Sequence, residues 1–104
     1  MVSIEAARRL ALSFPETDEH PHFERRAFRV KKKIFATLSV EDKTLNLMFT
    51  PQMQMIYCPP NSDVIFPVPN GWGRNGATTI NLKKATRKLV KSALAEAYKL
   101  RKEK

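Results

Sequence analysis

The strongest constraint on the fold is a pair of alternating apolar and polar runs joined by three polar residues. The first run is IFATLSV, residues 34–40, and the second is TLNLMFT, residues 44–50. Successive side chains of a strand point to opposite sides, so this alternation predicts two strands with one buried face. A link as short as EDK joins neighbouring strands antiparallel. With HFERRAFRV before them, the runs predict a three-stranded meander.

Helix signals precede and follow the meander. Ser3 is a helix cap, and the helix it starts must end before Pro15, because the residue before a proline avoids the helical region. Thr50-Pro51 predicts a short helix over about 52–57. DVIFPV and ATTINL predict two more strands, the first at a sheet edge because of its proline. A long amphipathic helix is predicted from Lys83.

The element order is therefore α-βββ-α-ββ-α. It predicts an α+β protein with an antiparallel sheet of about five strands. A chain of 104 residues is the size of one domain, so we expect a single domain over residues 1–104.

Positive charge is concentrated in two segments. The formal net charge is +9; residues 21–34 hold six basic groups and one acidic, and residues 83–104 hold nine basic and two acidic. The rest of the chain is slightly acidic. Such clusters attract polyanions, namely nucleic acid, anionic lipid surfaces or acidic proteins. The apolar face of the last helix is built of Ala, Leu and Val without Trp or Phe, so a membrane-surface role is disfavoured.

The cellular location of the chain is predicted from sequence patterns that it lacks. No apolar run approaches the ~20 residues of a membrane-spanning helix, and the start lacks the pattern of a signal peptide. A single cysteine, Cys58, fits a reducing compartment. We expect a cytoplasmic protein with no membrane association, and favour a monomer.

The segment RRAFRVKKK, residues 25–33, is the first candidate for phosphate contact. Alternation along a strand places Arg25 and Arg29 on one face with Lys31. Such a basic hairpin can lie along phosphates, or its charges can protect a sheet edge from aggregation. The predicted contacts are Arg25, Arg26, Arg29, Lys31, Lys32 and Lys33.

A second, weaker set of basic residues lies further along the chain. The outer face of the last helix has almost no acidic residues, although a basic surface helix with no function is an equally good interpretation. The members of this set are Arg74, Lys84, Arg87, Lys88 and Lys91.

The stretch NGWGRNGATTINL, residues 70–82, contains all three glycines and the only tryptophan. The preferred interpretation is a tight loop that folds Trp72 back onto the sheet. The alternative keeps Trp72 partly exposed beside Arg74, where it could stack on a base or support an anion. No phosphate-binding loop motif is present.

Metal and nucleophile sites are weakly supported. Asp18, His20 and His22 would share a face if extended, but no further histidine completes a ligand set. Acidic iron binding is disfavoured because the first helix has only Glu5 as a carboxylate. Cys58 would need one of the two histidines as a base. We expect no catalytic residue, no metal and no cofactor.

Two motifs resemble a known family. HPHFERRAFRVKKKIFATL is similar to the HF…FRV…KIFATL stretch of the MmcQ/YjbR-like proteins, and FPVPNGWGRNGATTINL to their FxP…GWG stretch. The resemblance covers about Ile4 to Leu100 and implies a frataxin-like sheet with the N- and C-terminal helices packed on one face. It also implies a double-wing arrangement of hairpins, which the family's description links to DNA binding. At Lys31-Lys32 this chain departs from relatives that have a glycine-containing turn.

The sequence therefore predicts a non-enzymatic nucleic-acid-binding protein. The expected partner is double-stranded DNA, held mainly through phosphates. The alternative is a protein-interaction or small-anion-binding module whose pocket includes Trp72 and Arg74.

Overall fold

The fold is an antiparallel sheet of six strands with helices packed against one of its faces. The computed structural model describes residues 1–103, and Lys104, the last residue of the basic C-terminal segment, lies outside them. The elements in chain order are α1 Ile4–Leu12, β1 Thr17–His22, β2 Arg25–Val30, β3 Lys33–Ser39, β4 Thr44–Met48, α2 Pro51–Tyr57, β5 Ile65–Pro67, α3 Gly71–Arg74, β6 Ala77–Asn81 and α4 Arg87–Lys102. Across the sheet the strands run β1-β2-β3-β4-β6-β5.

Side-chain caps set where the longer helices begin. The Ser3 hydroxyl accepts a hydrogen bond from the Ala6 amide at 3.0 Å, and Thr50 caps α2 in the same way. Both starts confirm the sequence prediction. The last helix begins at Arg87 rather than Lys83, because Thr86 caps it by accepting from the Leu89 amide at 3.1 Å.

The core lies between the sheet and helices α1 and α4. Phe14, just after α1, stacks on Tyr98 of α4 with ring centroids 4.9 Å apart, and both rings meet Phe35 of β3 edge-on. The Tyr98 hydroxyl donates to the Pro15 carbonyl at 2.9 Å. This aromatic cluster ties both terminal helices to the same face of the sheet, as the resemblance implies.

A β-bulge in β3 changes the simple alternation. Phe28 pairs with Ala36 but Arg29 pairs with Ile34, so Phe35 is an extra residue. Phe35 and Ala36 are therefore both fully buried. The alternation had placed Ile34 on the same side as Ala36, and this is wrong: Ile34 lines the face opposite the helices.

The strand β1 is absent from the sequence prediction, which counted about five strands. TDEHPH has no alternation of apolar residues, and Pro21 removes a backbone donor. It pairs with β2 as an edge strand, where a proline is tolerated. Glu19 of β1 accepts a hydrogen bond at 2.7 Å from Arg26 of the neighbouring strand β2. It accepts another at 2.7 Å from Arg8 of α1.

The glycine stretch is a helical turn that displays its tryptophan outward. Trp72 lies in α3 and is 71% exposed, so the expectation that it folds onto the sheet is wrong. The glycines have structural reasons. A Cβ on Gly73 would lie 1.9 Å from the Val68 carbonyl oxygen, and Gly76 has a φ of +109° beside the Phe49 carbonyl. Only glycine meets both conditions without strain.

We predict that Gly76→Ala destabilises the protein by about 1–3 kcal/mol or more, because alanine is strained at that φ and its methyl group would meet backbone. The control is Gly71→Ala, where a Cβ meets nothing within 4 Å. It lies in a helical turn, so alanine should be neutral or stabilising by about 0.5–1 kcal/mol. Urea denaturation measures both; equal effects would contradict the assignment.

We predict that Glu19 contributes to loss of stability in acid. Burial alone would raise the pKa of its carboxyl, but hydrogen bonds from Arg26 and Arg8 outweigh burial and lower it. The stabilisation is thus fully present above the ordinary glutamate pKa and is lost as the pH falls through the lowered one. Glu19→Gln should lower stability at neutral pH and flatten its decline from about pH 6 to about pH 3. Denaturant titrations at several pH values test this, with the exposed Glu16→Gln as control.

Candidate functional site

The face of the sheet opposite the helices is concave and carries a cavity of about 660 Å³. This volume lies within the range of small-molecule sites, about 300–1,000 Å³. Its floor and rim come from β1, β2, β3, β4 and β6, from α3 and the C-terminal end of α4, and from the neighbouring loops. The lining residues are His22, Phe23, Arg25, Lys32, Lys33, Ile34, Thr37, Asn46, Met48, Val68, Asn70, Trp72, Ala77 and Arg101. Four of them are Arg or Lys and none is acidic, so the cavity favours an anion. We call it the open-face cavity.

Arg25 is a positioned cation on the floor of this cavity. Its Nε donates to the Thr37 hydroxyl at 2.9 Å and its Nη2 to the Thr37 carbonyl at 3.0 Å. Half-burial lowers the pKa of the guanidinium, and the carboxylate of Asp42 opposes this. An arginine stays protonated at neutral pH in any case. Among residues 1–103, its Nη1 group has no hydrogen-bond partner, so it can donate to a ligand.

A polar pair continues the floor toward β6. The Thr79 hydroxyl donates to Asn46 Oδ1 at 2.8 Å across neighbouring strands. Within the described chain the amide nitrogen of Asn46 forms no hydrogen bond, which leaves it as a second donor to the cavity. The floor is therefore polar at its centre, while Ile34 and Met48 make it apolar beside that centre.

Two aromatic side chains stand at the rim. Phe23 is 95% exposed and Trp72 is 71% exposed. Large exposed apolar groups beside one concavity are typical of binding surfaces. Phe23 has a φ of +58° in the β1–β2 turn. Phe23 was not among the predicted site residues, because only its position in the β1–β2 turn marks it as exposed.

The β2–β3 turn is strained. Lys31 and Lys32 have φ of +53° and +66°, as the two central residues of a type I′ turn do. Residues other than glycine lose about 1–2 kcal/mol each in this region, and asparagine followed by glycine is the preferred pair. Strained residues tend to cluster at functional sites. Phe23 and Lys32 both line the cavity, which links the strain to that site.

Two of the predicted arginine contacts are engaged elsewhere. Arg26 Nε lies 2.7 Å from Glu19 Oε2, and Arg29 binds both oxygens of Asp18 at 2.9 and 3.1 Å. Neither arginine lines the open-face cavity. These pairs were not predicted, because their carboxylates lie on β1, which has no strand pattern in the sequence. Of the three predicted hairpin arginines, only Arg25 belongs to the cavity.

The second predicted set also lies outside this cavity. Lys84 pairs with Asp63, and Arg74 is exposed but does not reach the lining. Arg87, Lys88 and Lys91 are exposed near the start of α4. Arg87 and Arg101 are fourteen positions apart in α4, which is about 21 Å along the helix axis.

Arg101 is the residue through which α4 reaches the cavity. Its Nε is buried and has no hydrogen-bond partner in the described part of the chain. Arg101 was not among the predicted contacts, because it lies at the boundary between the apolar and basic faces of α4. A buried, unpartnered guanidinium nitrogen beside a cavity favours an anionic ligand there.

The weaker alternatives find no support in the geometry. His20 Nε2 is 3.9 Å from Asp18 Oδ2, but the guanidinium of Arg29 lies against both side chains. Within residues 1–103, no group of three or more His, Cys, Asp or Glu side chains could hold a metal ion. Cys58 follows α2, which contacts the β5–β6 edge, whereas the histidines lie on β1 at the other edge. Burial also raises the pKa of the Cys58 thiol.

Across the described residues, no helix is both long enough and apolar enough to span a membrane. No curated protein matches the chain. The fold is similar to that of protein DR2400 of Deinococcus radiodurans, whose crystal structure is described as having the domain DUF419. The TM-score is 0.78 at 19% identity, over 96% of this chain and 78% of that one. At this identity the likeness shows the fold alone.

The sequence comparison goes further than the fold. The family model named YjbR matches residues 12–100, which include both motifs on which the resemblance was based. The resemblance is therefore confirmed, and the chain belongs to the YjbR family.

Proposed function

We propose that this protein binds nucleic acid, mainly through phosphate contacts, and that the open-face cavity is the centre of the interface. One observation carries the proposal: four cations from three parts of the chain converge on one concavity, and no acidic residue of the described range 1–103 lines it. Phosphates and their counterions supply most of the sequence-independent affinity of such surfaces. The four residues are Arg25, Lys32, Lys33 and Arg101.

The strained turn supports the same proposal. Lys31 and Lys32 occupy backbone positions where asparagine and glycine would be more stable. Lysines at these positions place two charges at the tip of the hairpin, beside the cavity. What supports the proposal is the position of these two lysines beside the cavity, where their charge attracts an anion.

Duplex DNA is the partner expected from the sequence, and its phosphates can be held by these charges alone. The β2–β3 hairpin tip can lie along a phosphate backbone without reading bases, since phosphate contacts position a protein without specifying sequence. The exposed residues Arg87, Lys88 and Lys91 would add long-range attraction at low salt. No catalytic step belongs to the proposal.

The second candidate function is small-anion binding, and the size of the cavity favours it. A space of about 660 Å³ with a fixed guanidinium and an aromatic rim suits one planar anion. In this form Arg25 replaces Arg74 as the anion partner of Trp72, because Arg74 does not line the cavity. Competition between a mononucleotide and an oligonucleotide separates the two functions.

We predict a steep salt dependence of binding. About five phosphate contacts give a log–log slope of about −4.5 for duplex DNA, at about 0.9 per phosphate neutralised. Fluorescence anisotropy with a labelled duplex of random sequence, between about 50 and about 200 mM salt, measures this slope. A slope near zero, or no binding of duplex or single strand at the lowest salt, would contradict the proposed function.

We predict that the double variant Lys31→Asn/Lys32→Gly is more stable than the natural chain and binds more weakly. Relief of the left-handed strain should stabilise by about 1–2 kcal/mol per residue, and a gain of about 1 kcal/mol raises Tm by about 4–8 °C. Loss of two phosphate contacts should make the duplex salt slope shallower by about 1.8.

Lys43→Gly is the matched control for this variant. Lys43 has a φ of +56° in the β3–β4 turn, at the other end of β3, and does not line the cavity. Its replacement should also stabilise the fold but leave the affinity and salt slope nearly unchanged. A slope shallower by about 0.9 for Lys43→Gly, half the change in the double variant, would show that net charge, and not this hairpin, determines binding.

A further inference from the structure

We infer that the open-face cavity takes unpaired nucleobases, so that its ligand is a single strand whose bases stack on Trp72. This inference rests on the proposed function and specifies the form of nucleic acid. Stacking on an exposed aromatic ring needs a base whose own face is free. Charge alone does not distinguish single strands from duplex, but the aromatic rim of this cavity does.

Trp72 is held in its exposed position by the backbone around it. The Trp72 amide donates to Asn70 Oδ1 at 2.8 Å, which caps α3. Gly73 packs directly on the Val68 carbonyl, and the Gln54 side chain donates to the Gly73 carbonyl at 2.9 Å. The ring is thus carried on a tightly packed turn. Because the backbone of the turn is held in place, a base can stack on the exposed ring without reorganisation of the turn.

The floor of the cavity offers groups that suit the rest of a nucleotide. The free Nη1 of Arg25 can donate to a phosphate or to a base oxygen, and the amide nitrogen of Asn46 is a second donor. Ile34 and Met48 supply apolar contact beside these donors. Phe23 at the opposite rim offers a second exposed ring for a neighbouring base. A single strand presents base faces, base edges and phosphates together.

A duplex cannot use these groups without rearrangement. Its bases are stacked on each other, and turning one out requires unstacking and unpairing energy. A duplex would therefore contact the lysines of the hairpin tip but leave Trp72 without a role. A single strand can contact both the hairpin lysines and Trp72, so it should bind more tightly than a duplex at equal salt.

The test compares a twelve-residue oligo(dT) with a twelve-base-pair duplex under the same conditions. Trp72 is the only tryptophan, so its emission reports directly on this rim. We expect oligo(dT) to quench Trp72 and to bind more tightly than the duplex. Its salt slope should be shallower, at about 0.7 per phosphate contact instead of about 0.9.

Substitution at the rim provides the second arm of the test. Trp72→Ala should weaken oligo(dT) binding by about 5- to 150-fold, the range for loss of one base–aromatic stack, and leave duplex binding nearly unchanged. Trp72→Phe should restore part of the affinity. Because Trp72 is exposed, these variants should fold, which circular dichroism checks. Ile56→Ala, an exposed apolar residue outside the cavity, is the control and should change neither affinity.

The outcomes separate the two proposals. If Trp72→Ala leaves oligo(dT) affinity unchanged, or weakens duplex binding equally, the inference fails while salt-dependent binding keeps the proposed function. If thymidine monophosphate quenches Trp72 as tightly as the oligomer does, the ligand is a small anion and the single-strand inference is wrong. If neither oligomer binds at low salt, both proposals fail.

Discussion

One-sided burial of the sheet is the constraint on which the rest of this structure depends. Phe14, Phe35 and Tyr98 form one aromatic cluster that fastens α1 and α4 to a single face. Both long helices pack on that face, and the cavity lies on the opposite face of the six-stranded sheet. The open-face cavity is a consequence of how the core is closed.

The β-bulge couples the core to the cavity. Because Phe35 is an extra residue, the strand can bury Phe35 and Ala36 in succession and still turn Ile34 to the open face. Without the bulge, Ile34 would lie on the helix side with Ala36. The same bulge thus serves packing on one face and the lining of the cavity on the other.

Ion pairing decides which of the basic residues remain available to a ligand. The carboxylates of β1 engage Arg26 and Arg29, whereas Arg25 is fixed by hydrogen bonds to the neutral Thr37. An arginine paired with a carboxylate gains little from a phosphate, because it must first lose its partner. The uniform row of basic residues seen in the sequence is therefore divided by the fold. Arg25 and Lys32 line the cavity, and the other two arginines stabilise an edge strand.

Local patterns in the sequence were sufficient for most of the architecture. The alternation over residues 34–50, the caps at Ser3 and Thr50, and the periodic last helix depend on neighbours within a few positions, and each appears in the fold. The two motifs were enough to identify the family. The clustering of positive charge is also a property of the sequence alone.

Only the tertiary structure decided the rest. β1 has no apolar pattern, and β2 is needed to pair it. The exposure of Trp72 depends on Gly73 packing against Val68, and the position of Arg101 depends on where α4 ends over the sheet. These features are set by contacts between residues distant in the chain, which local propensity does not encode. The sequence determined the elements and their charge; packing between distant residues decided which side chains share the cavity.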